Sequence, residues 1–263
     1  MCPPSERATR GRGGWLSRGH MVCHCLLLET DAGLVLVDTG LGVGDVREPK
    51  RRLGGFFATM VGAVLSEQET AIRRVEALGL RPDDVRHIVV THLDLDHAGG
   101  LSDFPKARVH VYGAELDAAR ARATIKERER YREAQWAHGP DWAAATLRGE
   151  AWFGFDAVRD LPGLPPEILI VPLPGHTRGH SAIAVDTGKG WLLHAGDAYF
   201  AKGEMDPAGR SCPVGLDVFQ RLMGIDDGLR RANQERLRQL AITRTEDVRV
   251  FSAHDPDELD AFG

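Results

Sequence analysis

The sequence predicts an α/β protein in which two β-sheets pack face to face and helices cover their outer sides. Two observations carry this. Short apolar runs rich in β-branched residues, bounded by glycine or Asp-Gly-type turns, recur from Val22 onward, and several are apolar throughout, as strands buried on both faces are. Helical patterns are interspersed among these runs rather than segregated from them. The 263 residues, 43% apolar and 27% charged, suffice for a sizeable core and read as one domain spanning 1–263.

The N-terminal stretch MCPPSERATRGRGGWLSRGH carries Arg7, Arg10, Arg12 and Arg18 but lacks the apolar core of about 7–15 residues that a secretory signal needs. It reads as a solvated, partly mobile tail, with a small anion patch as the alternative. VCHCLLLET and GLVLVDTG, joined at Asp31-Ala32-Gly33, predict a hairpin with Cys23 and Cys25 on one face and His24 on the other. A zinc knuckle is the alternative there, but adjacent strand residues cannot chelate an ion alone, so packing is the reading for this pair of thiols.

Residues 43–65 predict a lid or a buried helix. Ser66 and Glu69 form a capping-box pattern at the head of a helix ending near Gly79. RHIVVT and ARVHVY are strands flanking a polar loop. Residues 113–155 predict a helical, lid-like insertion interrupted at Pro140, and Trp136, Trp142, Trp152, Phe153 and Phe155 either line a substrate pocket or pack its helices to the body. ILIVPL, SAIAVDT, GWLLHAGDA and VRVFSAH are strands, and 217–242 reads as one helix. No short-period repeat, low-complexity tract or run of the roughly 20 apolar residues of a membrane span occurs.

Lys plus Arg is 33 against 38 Asp plus Glu, a net charge of −5, so no global positive field draws the chain to nucleic acid or an anionic membrane. Four irregularly spaced cysteines suit reduced thiols, and a cytoplasmic location is expected.

Eleven histidines matter only if some converge. RHIVVT runs into His92, Asp94, Asp96 and His97; ILIVPLPG into His176; WLLHAG into Asp197; VRVFSA into His254. Four strand ends thus deliver four histidines and three aspartates, the donor set of a multinuclear metal site. In an extended loop His92, Asp94 and Asp96 share a side, while His97 needs a helical start that Ala98-Gly99-Gly100 permits. Two ions bridged by a carboxylate can use all seven groups. His194 reads as packing or backbone-bonded, and His20, His24, His87, His110 and His138, without companions at ligand spacing, as structural.

At these residues the chain resembles the metallo-β-lactamase superfamily. THLDLDHAGG is similar to its His-x-His-x-Asp-His loop, LPGHTRGHS to its Gly-His-x-x-Gly-His element, HAGDAYF to its bridging-aspartate strand and VFSAHDPDE to its last histidine element, over roughly residues 22–257. The resemblance implies a four-layer αββα sandwich with metals at one edge. It implies His92 and His176 at a first ion, with Asp94 standing where the family has histidine; Asp96, His97 and His254 at a second; and Asp197 bridging both. It also implies that His180 and Asp38 support these ligands through hydrogen bonds.

Asp94 is the departure. Asp94, Asp96, Asp197 and a bridging hydroxide match the four positive charges of two divalent ions, whereas histidine at 94 would leave one positive charge over. Zinc is the expected ion, with Mn or Fe suited to the more anionic set. The expected reaction is hydrolysis of a small ester, lactone or thioester, since two ions bring the pKa of a bridging water from 15.7 toward about 7. Asp96 is expected to carry the proton to the leaving group, and Tyr199 to donate to the developing oxyanion as a nearby tyrosine does in the similar homoserine-lactone lactonases. The alternatives are a non-haem di-iron oxidoreductase of this fold, a metal-binding protein without turnover, and a phosphodiesterase. The expected partner is a small molecule; a dimer is one open oligomeric state.

Overall fold

Each β-branched run contains a strand, and the strands fall into two main sheets. In the computed structural model, which describes residues 1–147, 150–158 and 161–262, the first sheet holds β1 (Leu26–Thr30), β2 (Gly33–Val37), β3 (Val85–Val89), β4 (Arg108–Tyr112) and β5 (Asp141–Ala145) in that order. β1 and β2 form the expected antiparallel hairpin, turned at Gly33 (φ 106°), and β2 to β5 run parallel. A two-stranded ribbon, β6 (Glu150–Trp152) and β7 (Phe155–Ala157), leads to the second sheet. That sheet contains β8 (Ile168–Pro172), β9 (Ser181–Asp186), β10 (Trp191–His194) and β11 (Val248–Phe251), ordered β11-β10-β9-β8, with β10 and β11 parallel.

Side-chain alternation makes the layers. Val35 and Val37 face Ile168, Ile170, Ile183 and Phe251 between the sheets. Leu34 and Leu36 face Val75, Leu101 and Leu116 on one outer side, while Leu169 and Val171 meet Leu237 and Leu240 on the other. A strand of period two whose residues are apolar on both faces must be covered on both, which yields helix, sheet, sheet, helix. Each such buried side chain contributes about 1.5–3 kcal/mol relative to exposure.

The structure corrects several local expectations. Residues 113–155 are helical only in their first part, Gly113–Ala121 and Ile125–Arg130; the second part supplies β5, β6 and the start of β7, while Arg148 and Gly149 lie outside the described residues. Four of the five aromatics pack into the body, Trp152 and Phe155 in the second sheet's outer layer and Trp136 and Trp142 against the first's, while Phe153 is exposed. The expected single helix over 217–242 is two, Val214–Met223 and Asp227–Thr243, because the intervening segment holds Gly224 and Asp226, whose carboxylate accepts from Leu229 N (2.9 Å) as an N-cap. Ser66 heads only a 3₁₀ turn, Glu67–Glu69, and makes no side-chain cap bond. The N-terminal stretch is not simply a solvated tail. Helix Glu6–Arg10 packs on Val214–Met223 so closely that a Cβ at Gly215 would lie 2.6 Å from Ala8 O, and Arg10 and Arg12 pair with Asp257.

Among the described residues no helix is long and apolar enough to cross a membrane.

Candidate metal centre

β3, β8, β10 and β11 end on the same side of the two sheets, and the seven expected donors stand on the loops that leave them. After β3 the chain runs through Thr91 and His92 to Asp94, which heads the short helix Leu95–Ala98, its carbonyl accepting from His97 N and Ala98 N (both 3.0 Å). The helical start swings His97 inward, and it also parts the aspartates. Asp94 falls with His92, His176 and Asp197, whereas Asp96 falls with His254 and Cys23; each set offers donor atoms within 4.8 Å of one another. The expectation that His92, Asp94 and Asp96 share one side is therefore corrected, since Asp96 already lies in the helical turn. A third set joins His97, Asp197 and His254. Asp197 belongs to two of the sets: its Oδ1 lies 3.1 Å from His97 Nε2 and 3.0 Å from His254 Nε2, and its Oδ2 3.3 Å from His176 Nε2.

Three histidines are oriented through their far nitrogens. His97 Nδ1 donates to Asp38 Oδ2 (2.8 Å), His254 Nδ1 to Val22 O (2.7 Å), and His92 Nδ1 to Thr91 Oγ1 (2.9 Å), a hydroxyl that itself donates to Asp38 Oδ2 (2.8 Å). Each thereby turns Nε2 toward the centre. Asp38 works from a left-handed backbone (φ 56°), uncommon for a residue with a side chain, and its other oxygen accepts from Thr91 N at 2.7 Å. His180 acts as a support, its ring beside His92 (centroids 5.0 Å apart): Nδ1 donates to Leu173 O (3.0 Å) and Nε2 accepts from Asp197 N (2.9 Å). Gly196 (φ 54°) makes that approach possible, because a Cβ there would meet His180 Nε2 at 2.7 Å.

Residues from 113–155 brace the centre from behind rather than cover it. Buried Glu115 accepts from Leu93 N, Gly179 N and Tyr131 Oη, each at 3.0 Å, tying the β3 loop to the β8 loop. Gln135 donates to Leu95 O (2.8 Å). Arg130, also buried, lies with Nε 3.2 Å from Asp94 Oδ1 and donates to His176 O (2.8 Å) and Met223 O (2.7 Å).

Burial opposes charge on Asp94, Asp197, His97, His176 and His254, and nearby charges either overcome it or add to it. Burial raises Asp94, but Arg130 and His92 outweigh it and hold the carboxyl well below the usual range. Asp197 is likewise held low, by His254, His97 and His176 against burial. Burial lowers His97 and His254, yet Asp197 pulls both upward. His176 falls to about 4 through burial and the nearby Arg130.

The donor set fits metal ions. His92 Nε2, His97 Nε2 and Asp197 Oδ1 are buried atoms without a hydrogen-bond partner, aimed at a common space, and an unpaired buried polar atom costs about 1–3 kcal/mol unless something else satisfies it.

Tyr199 does not reach this space. Its side chain is fully buried and its hydroxyl donates to Glu258 Oε1 at 2.8 Å, so the expected oxyanion-donor role is withdrawn. Phe200, one residue on, lines instead a cavity of about 280 Å³ that opens on Asp94, Asp96, His176, Asp197 and His254. Its other walls come from the N-terminal stretch and 43–65, including Pro3, Phe57 and Val61, and from Leu216, Phe219 and Met223.

Residues 18–241 match the family described as the metallo-beta-lactamase superfamily. The chain belongs to that superfamily. As a metallo-β-lactamase superfamily hydrolase it is 44% identical over 237 residues to a "probable metallo-hydrolase" of Mycobacterium tuberculosis, covering 90% of this chain and 76% of that one. It is 28% identical over 204 residues to an N-acyl homoserine lactonase of Bacillus cereus, covering 75% and 74%. A solved N-acyl homoserine lactone hydrolase, bound to its product N-hexanoyl-L-homoserine at the catalytic metal centre, shares the fold with a TM-score of 0.69 at 22% identity over 99% of this chain and 92% of that one.

Arg130 and Glu115 were not legible as site residues: Arg130 sits in IKERER, whose pattern is that of any solvated helix. Cys23 reads from the sequence as packing, with a zinc knuckle beside Cys25 as the alternative, and its place beside Asp96 and His254 was not legible.

Proposed function

We propose that this metallo-hydrolase uses a dinuclear centre to open a small, uncharged lactone or ester with an apolar acyl chain, thioesters being the related class. In this reading His92, Asp94 and His176 hold one ion, Asp96, His97 and His254 the other, and Asp197 bridges them within one domain in the cytoplasm. The carrying observation is the cavity: a donor cluster at one end, and largely apolar walls elsewhere with no lysine or arginine among the described residues that line them. Such walls favour a hydrocarbon chain and offer nothing to pair a phosphodiester or a carboxylate tail.

Two divalent ions held there would polarise the carbonyl and make water nucleophilic near neutral pH, with zinc the expected ion. The chain's own groups do the rest. Asp96, in the loop's first helical turn, takes the proton that water releases as its oxygen bonds to the carbonyl carbon, and returns it to the leaving oxygen as the carbon–oxygen bond breaks. The cavity walls seat the acyl chain and exclude bulk water from the carbonyl. The case for an iron oxidoreductase weakens, because it rested on the extra negative charge of Asp94, and Arg130 offsets that charge.

The test is hydrolysis of acyl lactones, thioesters and aryl esters by the zinc-loaded chain, with two ions per chain by elemental analysis. Activity lost to a chelator and restored by zinc is expected. A metal-replete protein that leaves all three classes untouched overturns the reading.

A further inference from the structure

Cys23 precedes β1 and lies outside every motif of the centre, yet its thiol is within 4.8 Å of donor atoms of both Asp96 and His254. We propose that Cys23 is a thiolate ligand of the second ion, beside Asp96, His97 and His254; this rests on the dinuclear reading.

Three observations converge. His254 belongs to the set with Cys23 and Asp96 and also to the set with His97 and Asp197, so the two sets meet at one place. His97 Nε2, buried and without a hydrogen-bond partner, lies 3.1 Å from Asp197 Oδ1, the same oxygen that lies 3.0 Å from His254 Nε2. The backbone then fixes Cys23 against His254: Val22 N donates to His254 O (3.4 Å), His24 N to Ala253 O (2.8 Å), and His254 Nδ1 to Val22 O (2.7 Å). Cys23 is thus the central residue of a segment bonded on both sides to the strand exit that carries His254, and ligand and thiol move as a unit. Cys25, two residues on, instead turns its thiol to Cys23 O (3.8 Å).

A thiolate is a soft donor, and among the ions this centre could hold it favours zinc over manganese or iron(II). Cys23 would therefore offset, at the second ion, the preference for harder ions that Asp94 introduces at the first.

Cobalt(II)-loaded full-length protein tests this. Visible d–d bands report that ions are bound, and a near-ultraviolet sulfur-to-cobalt charge-transfer band reports the thiolate. The charge-transfer band is expected in the native chain, retained in Cys25→Ser and lost in Cys23→Ser while visible bands persist. Competition with a chelator should show the second zinc weakened in Cys23→Ser by at least the ~10–100-fold that loss of even an outer hydrogen-bond partner costs a metal site. In the unmutated chain, zinc should slow iodoacetamide labelling of Cys23 as read by peptide mapping, a measurement independent of any variant's folding. Visible bands without the charge-transfer band, its persistence in Cys23→Ser, or zinc-insensitive labelling overturns the thiolate alone. A chain that takes up no cobalt overturns it together with the dinuclear reading.

Discussion

The guanidinium of Arg130 lies against the carboxylate of Asp94, Nε to Oδ1 at 3.2 Å, with both side chains buried. Where the motif resemblance implies a neutral imidazole, this chain has an ion pair. The extra negative charge of Asp94 is thus matched by a positive one on the side away from the cavity. One carboxylate oxygen faces Arg130, and the other faces His176 Nε2 at 3.0 Å.

This pairing makes the two positions interdependent. With metal chelated, Arg130→Met should cost about 3–5 kcal/mol, the usual loss when one member of a buried pair is removed. Asp94→His should also destabilise, since it leaves the guanidinium facing an imidazole. The double variant Asp94→His/Arg130→Met should recover about 1–3 kcal/mol relative to the sum of the single losses. Urea unfolding of the four proteins measures the coupling, and strictly additive losses would show that the pair does not act as one.

His180 provides a cleaner test of support, because its hydrogen bonds to the centre run through backbone while its ring only packs beside His92 and His176. Its imidazole bonds Leu173 O on the β8 exit and Asp197 N on the β10 exit. His180→Ala removes both bonds and leaves a buried amide unpaired behind Asp197. Metal affinity should fall by about 10–100-fold, as for other lost outer partners. Equilibrium competition with a chromophoric chelator reads it; unchanged affinity would mean that Asp197 is held in place without His180.

The cavity predicts a chain-length effect. Met223 lines it at the end of Val214–Met223 and is only partly buried, so a larger side chain can be accommodated there at modest cost. Met223→Trp should lower kcat/KM for longer acyl chains relative to shorter ones by about 10-fold, within the 1–3 kcal/mol that pocket size confers per methylene. Steady-state kinetics on a homologous lactone series, with metal content measured in parallel, decides whether this wall contacts the acyl chain.

The ligand loops were legible because each donor follows an apolar strand by a few residues, so a local pattern already fixes where the strand ends and what lies beyond it. His92, His176, Asp197 and His254 are of this kind. Direction was less legible than position. Tyr199 is close to Asp197 along the chain, but the left-handed turn at Gly196 sends its ring into the outer layer toward Glu258 while Phe200 turns to the cavity. Asp94 and Asp96 likewise share a period-two spacing that the helical start at Asp94 abolishes. Arg130 and Glu115 were illegible for another reason: their partners are tertiary, and a charged helix reads the same whether its charges meet solvent or a buried loop.

Glu258 should give the fold a pH dependence independent of the metal ligands' own titration. It is buried, accepting from Tyr199 Oη (2.8 Å) and Ser252 N (2.7 Å), and burial outweighs these bonds, raising its carboxyl from 4.5 to about 7. Between those values the unfolded chain has released this proton while the folded chain still holds it. Raising the pH through the window therefore removes stability, by about 3 kcal/mol in all, and below pH 4.5 the contribution is fully present. Glu258→Gln carries no proton to lose, so whatever its overall offset, its stability should lack this decline. Denaturant titrations of both proteins at pH 5 and pH 8, with chelator present to remove metal-linked protons, measure the difference in slope. Parallel pH profiles would show that Glu258 titrates alike in the folded and unfolded chain.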